Sequence, residues 1–152
     1  MPDQSIAMYI EQLDHLVLTV NDIDATCDFY HRLLGMEITE FGSGRKALAF
    51  GCQKINLHLC GKEFAPHARH PVPGSADLCF LTSVPVAQFI EHCRKQNVDI
   101  LAGPVERTGA AATLLSVYIR DPDGNLLEIA NSLAGLPGKE KNVGVSGISD
   151  AW

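Results

Sequence analysis

Four ionisable side chains in the sequence could together bind a divalent cation: His15, His58, Asp77 and Glu128. Two imidazoles and two carboxylates form a set that a borderline divalent ion accepts, and they leave room for water in an octahedral shell. The residue types therefore predict one bound divalent ion. They do not choose among Ni, Zn, Mn, Co and Fe.

An internal repeat relates these positions to one another. Shifting the first half of the chain by 62 positions places His15 on Asp77 and Gly35 on Asn97 without a gap. The segments that carry the first pair, QLDHLVLTV and ADLCFLTSV, both alternate apolar and polar residues, as strands with one buried face do. His15 and Asp77 are thus predicted to open the first strand of each half.

The closing turns of the two halves also resemble each other. FGCQKINLH and RDPDGNLLE are each nine residues long, and each joins two strand-like runs through a turn that contains glycine. Their last residues, His58 and Glu128, are therefore predicted to be equivalent. If first and last strands lie side by side in each half, the four side chains can converge on one ion.

Each half reads as a βαβββ module. Asn21 or Asp22 can cap a first helix that ends at Gly35, and a second helix runs from about Pro85 to Asn97. Three strands are predicted after each helix, at 37–41, 46–50 and 54–60 and at 99–102, 113–120 and 125–131. We expect an α+β fold, a single domain over 1–132 in which tandem modules 11–60 and 76–131 form curled mixed sheets. A Pro- and Gly-rich linker (61–75) joins them, and a flexible tail (133–152) that ends in Trp152 follows.

Glu128 is the predicted ligand with the clearest physical reason, and the other three have competing interpretations. Glu128 lies in an apolar strand, LLEIA, where an unpaired carboxylate is costly to bury, so it needs a cation. A lone strand histidine such as His15 is often only hydrogen-bonded. Asn56 shares a strand face with His58 and could replace it as ligand. Asp77 could instead hold the ring N–H of a ligand histidine.

Composition excludes several classes of function. The chain has 152 residues and a formal net charge of −6, and its basic residues are scattered, which argues against nucleic acid binding. No apolar run is long enough to span a bilayer, and the first residues show no export signal, so we expect a cytoplasmic protein. The five cysteines lack CxxC spacing and lie in apolar segments, which predicts reduced core residues.

Two segments resemble a known superfamily. LDHLVLTVNDIDATCDFYHRLLGM and VYIRDPDGNLLEIAN are similar to the signature segments of the vicinal oxygen chelate superfamily, which includes glyoxalase I, fosfomycin-resistance proteins, methylmalonyl-CoA epimerase and extradiol dioxygenases. The resemblance covers about residues 11–131. KINLHLCGKEF and HPVPGS resemble, more narrowly, glyoxalase-domain-containing protein 5 and its bacterial relatives.

The resemblance implies further properties. His15 would be the metal ligand on the first strand, and Glu128 the ligand after the DPDG turn. The chain would form a homodimer in which halves from two chains complete each metal site. The superfamily often has His where Asp77 stands and a carboxylate or Gln where His58 stands, so here the ligand types are exchanged.

The expected activity is that of a glyoxalase-like lyase or isomerase acting on a small substrate with vicinal oxygens, with a glutathione hemithioacetal as one candidate. Glu128 is the expected base and Asp77 the alternative. Arg45 and Arg107, equivalent in the repeat, could each pair with a substrate carboxylate or be solvated hairpin residues. A fosfomycin-type thiol transferase, an extradiol-type dioxygenase and a non-catalytic antibiotic-binding protein remain alternatives.

Overall fold

The computed structural model describes residues 5–136. Contacts divide this part of the chain into two compact units. The first comprises the residues up to Ala76 together with Pro122–Gly124, and the second comprises Asp77–Asp121 with the residues from Asn125 onward. Most of the predicted tail, including Trp152, lies outside the described residues.

The first unit is a helix on a four-stranded mixed sheet. Its elements are β1 (His15–Val20), α1 (Ile23–Leu34), β2 (Glu37–Phe41), β3 (Arg45–Phe50) and β4 (Gln53–Leu59). The strands are ordered β1-β4-β3-β2. The β1–β4 pair is parallel and the other pairs are antiparallel.

The second unit repeats this architecture. Its elements are β5 (Asp77–Leu81), α2 (Val86–Lys95), β6 (Ala102–Thr108), β7 (Thr113–Arg120) and β8 (Leu126–Ser132). The order is β5-β8-β7-β6, again with one parallel pair, β5–β8, next to two antiparallel pairs. The two tandem βαβββ modules expected from the sequence are therefore confirmed.

Local sequence signals account for the helix ends. The Asp22 side chain accepts a hydrogen bond from the Ala25 amide at 2.9 Å and caps α1, as predicted. Gly35 follows the helix in the left-handed region at φ 68°. Asn97, its counterpart after α2, also has a positive φ of 55°. Equivalent residues thus end both helices in the way the repeat indicates.

Alternation along the strands gives each sheet two different faces. In β1, Leu18 and Val20 are buried, whereas His15 and Val17 are exposed. In β5, Asp77 and Cys79 are likewise exposed. The buried set packs towards the helix of the same unit. The opposite set defines what we call the helix-free face of each sheet, where the candidate site residues lie.

The second strand of the second half differs from expectation. The sequence predicts a strand at 99–102, but β6 spans Ala102–Thr108. Gly103 and Pro104 suggest a break, yet they occupy a register shift between Ala102 and Val105. A side chain at Gly103, whose φ is 102°, would collide with the backbone of Ser116 and Val117, so the close approach of β7 requires glycine there.

The cysteine prediction is wrong in part. All five cysteines are free, and Cys27 and Cys93 are buried as expected. Cys52, Cys60 and Cys79 are exposed. Along residues 5–136, no helix is long and apolar enough to cross a membrane.

Candidate functional site

The carboxylate of Glu128 is the centre of a hydrogen-bonded cluster on the helix-free face of the second unit. Glu128 lies on β8 between Cys79 of β5 and Tyr118 of β7. The Ser116 hydroxyl donates to Oε2 at 2.6 Å, and the Tyr118 hydroxyl donates to Oε1 at 2.9 Å. A hydroxyl donor on each oxygen fixes the plane of the carboxylate.

Arg107 extends this cluster. Its Nε donates to the Tyr118 hydroxyl at 3.0 Å, so that hydroxyl accepts from a cation and donates to an anion. Burial raises the pKa of Tyr118 above its ordinary value. The hydrogen bond to Glu128 acts in the same direction, and the one from Arg107 opposes it. Tyr118 therefore keeps its proton and relays the positive charge of Arg107 to Glu128.

The pKa of Cys79 reflects its surroundings on this face. Its pKa is raised to about 11, first by burial of the thiol and then by the negative charge and hydrogen bond of Glu128. Asp77, on the same face, contributes in the same direction. The carboxylates of Glu128 and Asp77 therefore both act on this thiol.

In the first unit, His15 has the arrangement expected of a metal ligand. Its Nδ1 lies 2.7 Å from Oδ2 of Asp14. A carboxylate can only accept, so Nδ1 carries a proton, which leaves Nε2 as the ring atom that could bind a metal. A carboxylate on the second ring nitrogen is the usual support of metal-bound histidines.

His58 has a different environment. It is only 3% exposed, and its Nε2 lies 3.2 Å from Nη2 of Arg45. Arginine is always a donor, so Nε2 accepts and the proton of the neutral ring is on Nδ1. Burial, followed by the charge of Arg45, lowers the pKa of His58. Because a guanidinium occupies its lone pair, this imidazole does not fit the predicted role of metal ligand.

Arg45 itself is enclosed by aromatic rings. Its Cζ lies 4.9 Å from the ring centre of Phe41 and 4.5 Å from that of Phe64. A second cation also lies over the ring of Phe41, with Nζ of Lys54 at 4.1 Å from its centre. Phe64 also meets the His58 ring edge-on at 5.5 Å. The helix-free face of the first unit is therefore cationic and aromatic.

The strand register corrects one predicted equivalence. Val17 and Cys79 are related by the 62-residue shift. Val17 pairs with Asn56, whereas Cys79 pairs with Glu128. The counterpart of Glu128 is therefore Asn56, and the predicted equivalence with His58 is wrong. The two turn segments have the same length in the sequence. The second hairpin nevertheless has one more residue between the equivalent paired positions, so the two hairpins differ in register.

The predicted equivalence of the two arginines is also wrong. Arg45 is the first residue of β3, whereas Arg107 lies near the end of β6, the counterpart of β2. Each nevertheless reaches the helix-free face of its own unit, through its contact with His58 or with Tyr118.

The structure does not bring the two predicted histidine ligands together. His15 pairs with Lys54 and His58 with Thr19, so four register steps separate them along parallel strands. At about 3.3 Å per residue this is about 13 Å. Among the described residues, no three His, Cys, Asp or Glu side chains cluster closely enough to hold a metal ion. The fit of His15 and Glu128 to a cation therefore rests on the surroundings of each residue separately.

Some members of these clusters were not predicted. Ser116 and Tyr118, two residues apart on TLLSVYIR, are polar positions on one face of a strand, and this alternation could have identified them. Lys54 could have been found in the same way, from its alternation with Asn56 and His58. Phe64 lies in the linker and carries no local signal.

Comparison with known proteins agrees with the repeat and the topology. Residues 12–129 match the family model of the Glyoxalase/Bleomycin resistance protein/Dioxygenase superfamily. Virulence protein STM3117 of Salmonella typhimurium is 54% identical over 127 residues, covering 84% of this chain and 88% of that protein. Glyoxalase domain-containing protein RDO1 of Mycosarcoma maydis is 51% identical over 128 residues, covering 84% and 72%.

Solved structures give the same result. The crystal structure of STM3117 superposes with a TM-score of 0.81 at 52% identity, over 83% of this chain and 100% of that one. A lactoylglutathione lyase from Agrobacterium tumefaciens gives a TM-score of 0.62 at 22% identity, over 80% and 94%, which shows the shared fold alone. With the family model matched along most of its length, the chain belongs to the Glyoxalase/Bleomycin resistance protein/Dioxygenase superfamily.

Proposed function

We propose that the chain is a metal-dependent enzyme of the glyoxalase type, a lyase or isomerase that moves a proton on a small substrate with vicinal oxygens. The observation that carries this proposal is the Glu128 carboxylate, which Ser116 and Tyr118 hold in a fixed orientation in the apolar segment LLEIA of β8. Retaining an ionisable group there costs free energy, and the two hydroxyl donors that orient it indicate a chemical role.

Glu128 is the proposed base. It takes a proton from the carbon that bears the substrate hydroxyl, while the electron pair moves towards the neighbouring carbonyl oxygen. The hydroxyl proton passes to that oxygen, the hydroxyl oxygen becomes the new carbonyl, and Glu128 returns its proton to the neighbouring carbon. Ser116 and Tyr118 keep the carboxylate plane fixed between these two transfers, which is how positioning lowers a barrier. Asp77, two register steps away on β5, is the alternative base.

Two of the four predicted ligands have surroundings that suit binding of a divalent cation. His15 has Asp14 on Nδ1, which leaves Nε2 for a metal, and two hydroxyl donors orient the oxygens of Glu128. A bound divalent ion would supply Lewis-acid stabilisation of the charge that develops on the substrate oxygens. We propose His15 and Glu128 as ligands, with Asp77 as a third. We do not retain His58, because Arg45 occupies its Nε2.

Proton exchange tests the proposed reaction. The metal-loaded protein is incubated in D2O with the hemithioacetal of glutathione and methylglyoxal, and with other small hydroxycarbonyl compounds, while NMR follows loss of the proton next to the hydroxyl. We expect exchange in wild type and a loss of about 100-fold or more in Glu128→Gln, as for removal of a general base. Glu106→Gln, an exposed change on β6, is the matched control.

The outcomes separate the alternatives. Loss of exchange in Asp77→Asn but not in Glu128→Gln would transfer the role of base to Asp77. Absence of exchange with every vicinal-oxygen substrate, in protein that binds metal, would contradict the proposed reaction. Absence of both exchange and metal would favour the antibiotic-binding alternative.

The assembly is proposed to be a homodimer that completes the metal sites from two chains, as the superfamily resemblance implies. Light scattering on the purified protein tests this directly, because a monomer at micromolar concentration would contradict it. Glutathione is proposed only as the thiol part of the substrate, so exchange with hydroxycarbonyl compounds that lack it measures whether it is needed.

A further inference from the structure

Two cations on the helix-free face of the first unit lack an anionic partner. Arg45 and Lys54 both stack on the ring of Phe41, at 4.9 and 4.1 Å. Among residues 5–136 neither of them forms an ion pair, although the chain carries 18 acidic residues and a net charge of −6. Two neighbouring positive charges that share one aromatic ring repel each other, and an anion bound beside them would remove that repulsion.

The guanidinium of Arg45 is held in place, but its Nε–H has no hydrogen-bond acceptor among the described residues. Phe41 and Phe64 flank it, and His58 accepts one of its five N–H groups. Its Nε is buried without a hydrogen-bond partner. Leaving a charged donor unsatisfied costs about 1–3 kcal/mol or more. A planar fork that is fixed in position with unused donors is the usual arrangement for binding an oxyanion.

Neighbouring polar atoms on β4 are also unsatisfied. Asn56 and His58 are 7% and 3% exposed, and both point to the same face of the strand as Lys54. Oδ1 of Asn56 and Nδ1 of His58 are buried without a partner. Since Nε2 of His58 accepts from Arg45, Nδ1 is a donor. The cluster thus offers two unused donors and one unused acceptor to a ligand.

The nearby carboxylate of Glu63 does not pair with these unsatisfied groups. Glu63 lies close enough to His58 to affect it electrostatically, but its Oε1 accepts from the Gly61 amide at 2.9 Å and it forms no ion pair with Arg45 in the described residues. Phe64, next to it in the chain, covers the guanidinium although half of its own surface is in solvent. The half-exposed ring of Phe64 thus lies over the guanidinium whose Nε has no partner.

We propose that Arg45, Lys54, Asn56 and His58 form a docking site for a small oxyanion, the acid group of the substrate, and that Phe64 moves aside when it binds. This docking site would define the substrate class as small molecules that carry a carboxylate or a phosphonate. The role of the site in turnover rests on the proposed function. Oδ1 of Asn56 would accept a hydrogen bond from a hydroxyl next to that acid group.

Anion binding is measured without metal and without turnover. Protein labelled with ¹⁵N, in low-salt buffer with chelator, is titrated with glycolate, acetate, methylphosphonate and inorganic phosphate. NMR follows the Nε–H signal of Arg45 and calorimetry gives the dissociation constant. We expect saturable shifts, with glycolate binding more tightly than acetate because its hydroxyl can reach Asn56. Comparison of the carboxylates with the tetrahedral anions decides which acid group is preferred.

Variants distinguish a specific anion-binding site from nonspecific attraction by positive charge. We expect Arg45→Met and Lys54→Met each to weaken binding by about tenfold or more, the size expected for one charge-assisted hydrogen bond. Lys46→Met is the matched control, since it removes the same charge from the neighbouring position of β3, where Lys46 pairs with Glu40 at 3.1 Å. Its binding should stay within about twofold of wild type, as expected for an exposed pair.

Two outcomes would overturn the inference. One is the absence of saturable binding of any of the four anions, and the other is an equal loss in Lys46→Met and Lys54→Met. If Arg45→Met fails to fold, Arg45→Lys keeps the charge but removes the fork, and it should bind the carboxylates more weakly at unchanged helix content. No metal is present in this experiment, so its failure leaves the proton-transfer proposal intact, and failure of the exchange assay leaves this result standing.

Discussion

Cys79 gives the most quantitative test of the Glu128 cluster. The residue is exposed, so reagents can reach it, yet its thiol is partly withdrawn from water by its neighbours and its pKa is raised to about 11. At pH 8 a thiol with the ordinary pKa of 9.0 is about 9% thiolate, whereas one with a pKa of 11 is about 0.1% thiolate. The higher nucleophilicity of the more basic thiolate recovers part of this difference, with a Brønsted slope of about 0.45. Cys79 should therefore react about tenfold more slowly than its exposure indicates.

Replacing Glu128 by Gln removes one cause of this shift and keeps the shape of the side chain. Burial of the thiol remains, so the pKa of Cys79 should fall below 11 but stay above 9.0. The assay is alkylation by iodoacetamide between pH 7 and pH 10, with mass spectrometry resolving the peptide that contains Cys79. In wild type the rate should rise about tenfold per pH unit across that range, and in Glu128→Gln it should level off earlier.

Glu106→Gln serves as the control, because it removes a similar charge from an exposed position on β6. Its profile should match that of wild type. If wild-type Cys79 reaches a plateau near pH 9, or if Glu128→Gln leaves the profile unchanged, then Glu128 does not contact the thiol as described, and the geometry of the cluster is wrong.

Three further predictions follow from individual contacts. Tyr118→Phe removes the hydroxyl that orients Glu128, so in the exchange assay it should lower kcat by about tenfold, corresponding to 1–2 kcal/mol, with little change in KM. Asp22→Ala removes the cap of α1 and should lower the free energy of unfolding by about 1 kcal/mol in a urea titration. Burial raises the pKa of Cys93 to about 11, so the unfolded thiol loses its proton first, and the free energy of unfolding should fall between about pH 9 and pH 11.

Each of these three predictions has a matched control. Tyr9→Phe, on the exposed segment before β1, should leave turnover unchanged. Asp24→Ala, inside the first turn of α1, should cost less than the cap variant. The alkaline slope should become shallower in Cys93→Ala and stay unchanged in Cys52→Ala, whose thiol is exposed. An equal effect of either alanine substitution on that slope would exclude Cys93 as its cause.

Short-range signals in the sequence predicted most of the fold. Asp22 and Gly35 bound α1 because caps and left-handed residues act within one turn of the helix. Alternation located β1, β2 and β7 within a few residues. The strand β6 was misplaced because Gly103 and Pro104 normally end strands, and only the close approach of β7 shows why this pair is accommodated.

The candidate site was predicted less completely, because its geometry depends on register. Residue types singled out Glu128 and His15, and each has a side-chain hydrogen-bond partner that orients it; their roles stay predictions. The assignment of His58 assumed hairpins of equal length, and one additional residue in the second hairpin moved its counterpart to Asn56. The pairing of Arg45 with His58 follows from a ladder between strands that the local sequence does not encode.

We propose that His15 and Glu128 bind a cation whereas His58 does not. The measurement is the metal content of protein loaded separately with Ni, Zn, Mn and Co and then dialysed, compared among wild type, His15→Ala, Glu128→Ala and His58→Gln at matched helix content. We expect about one ion per chain in wild type and in His58→Gln, and loss of the ion in the other two variants. Retention of the ion in both His15→Ala and Glu128→Ala would contradict this proposal.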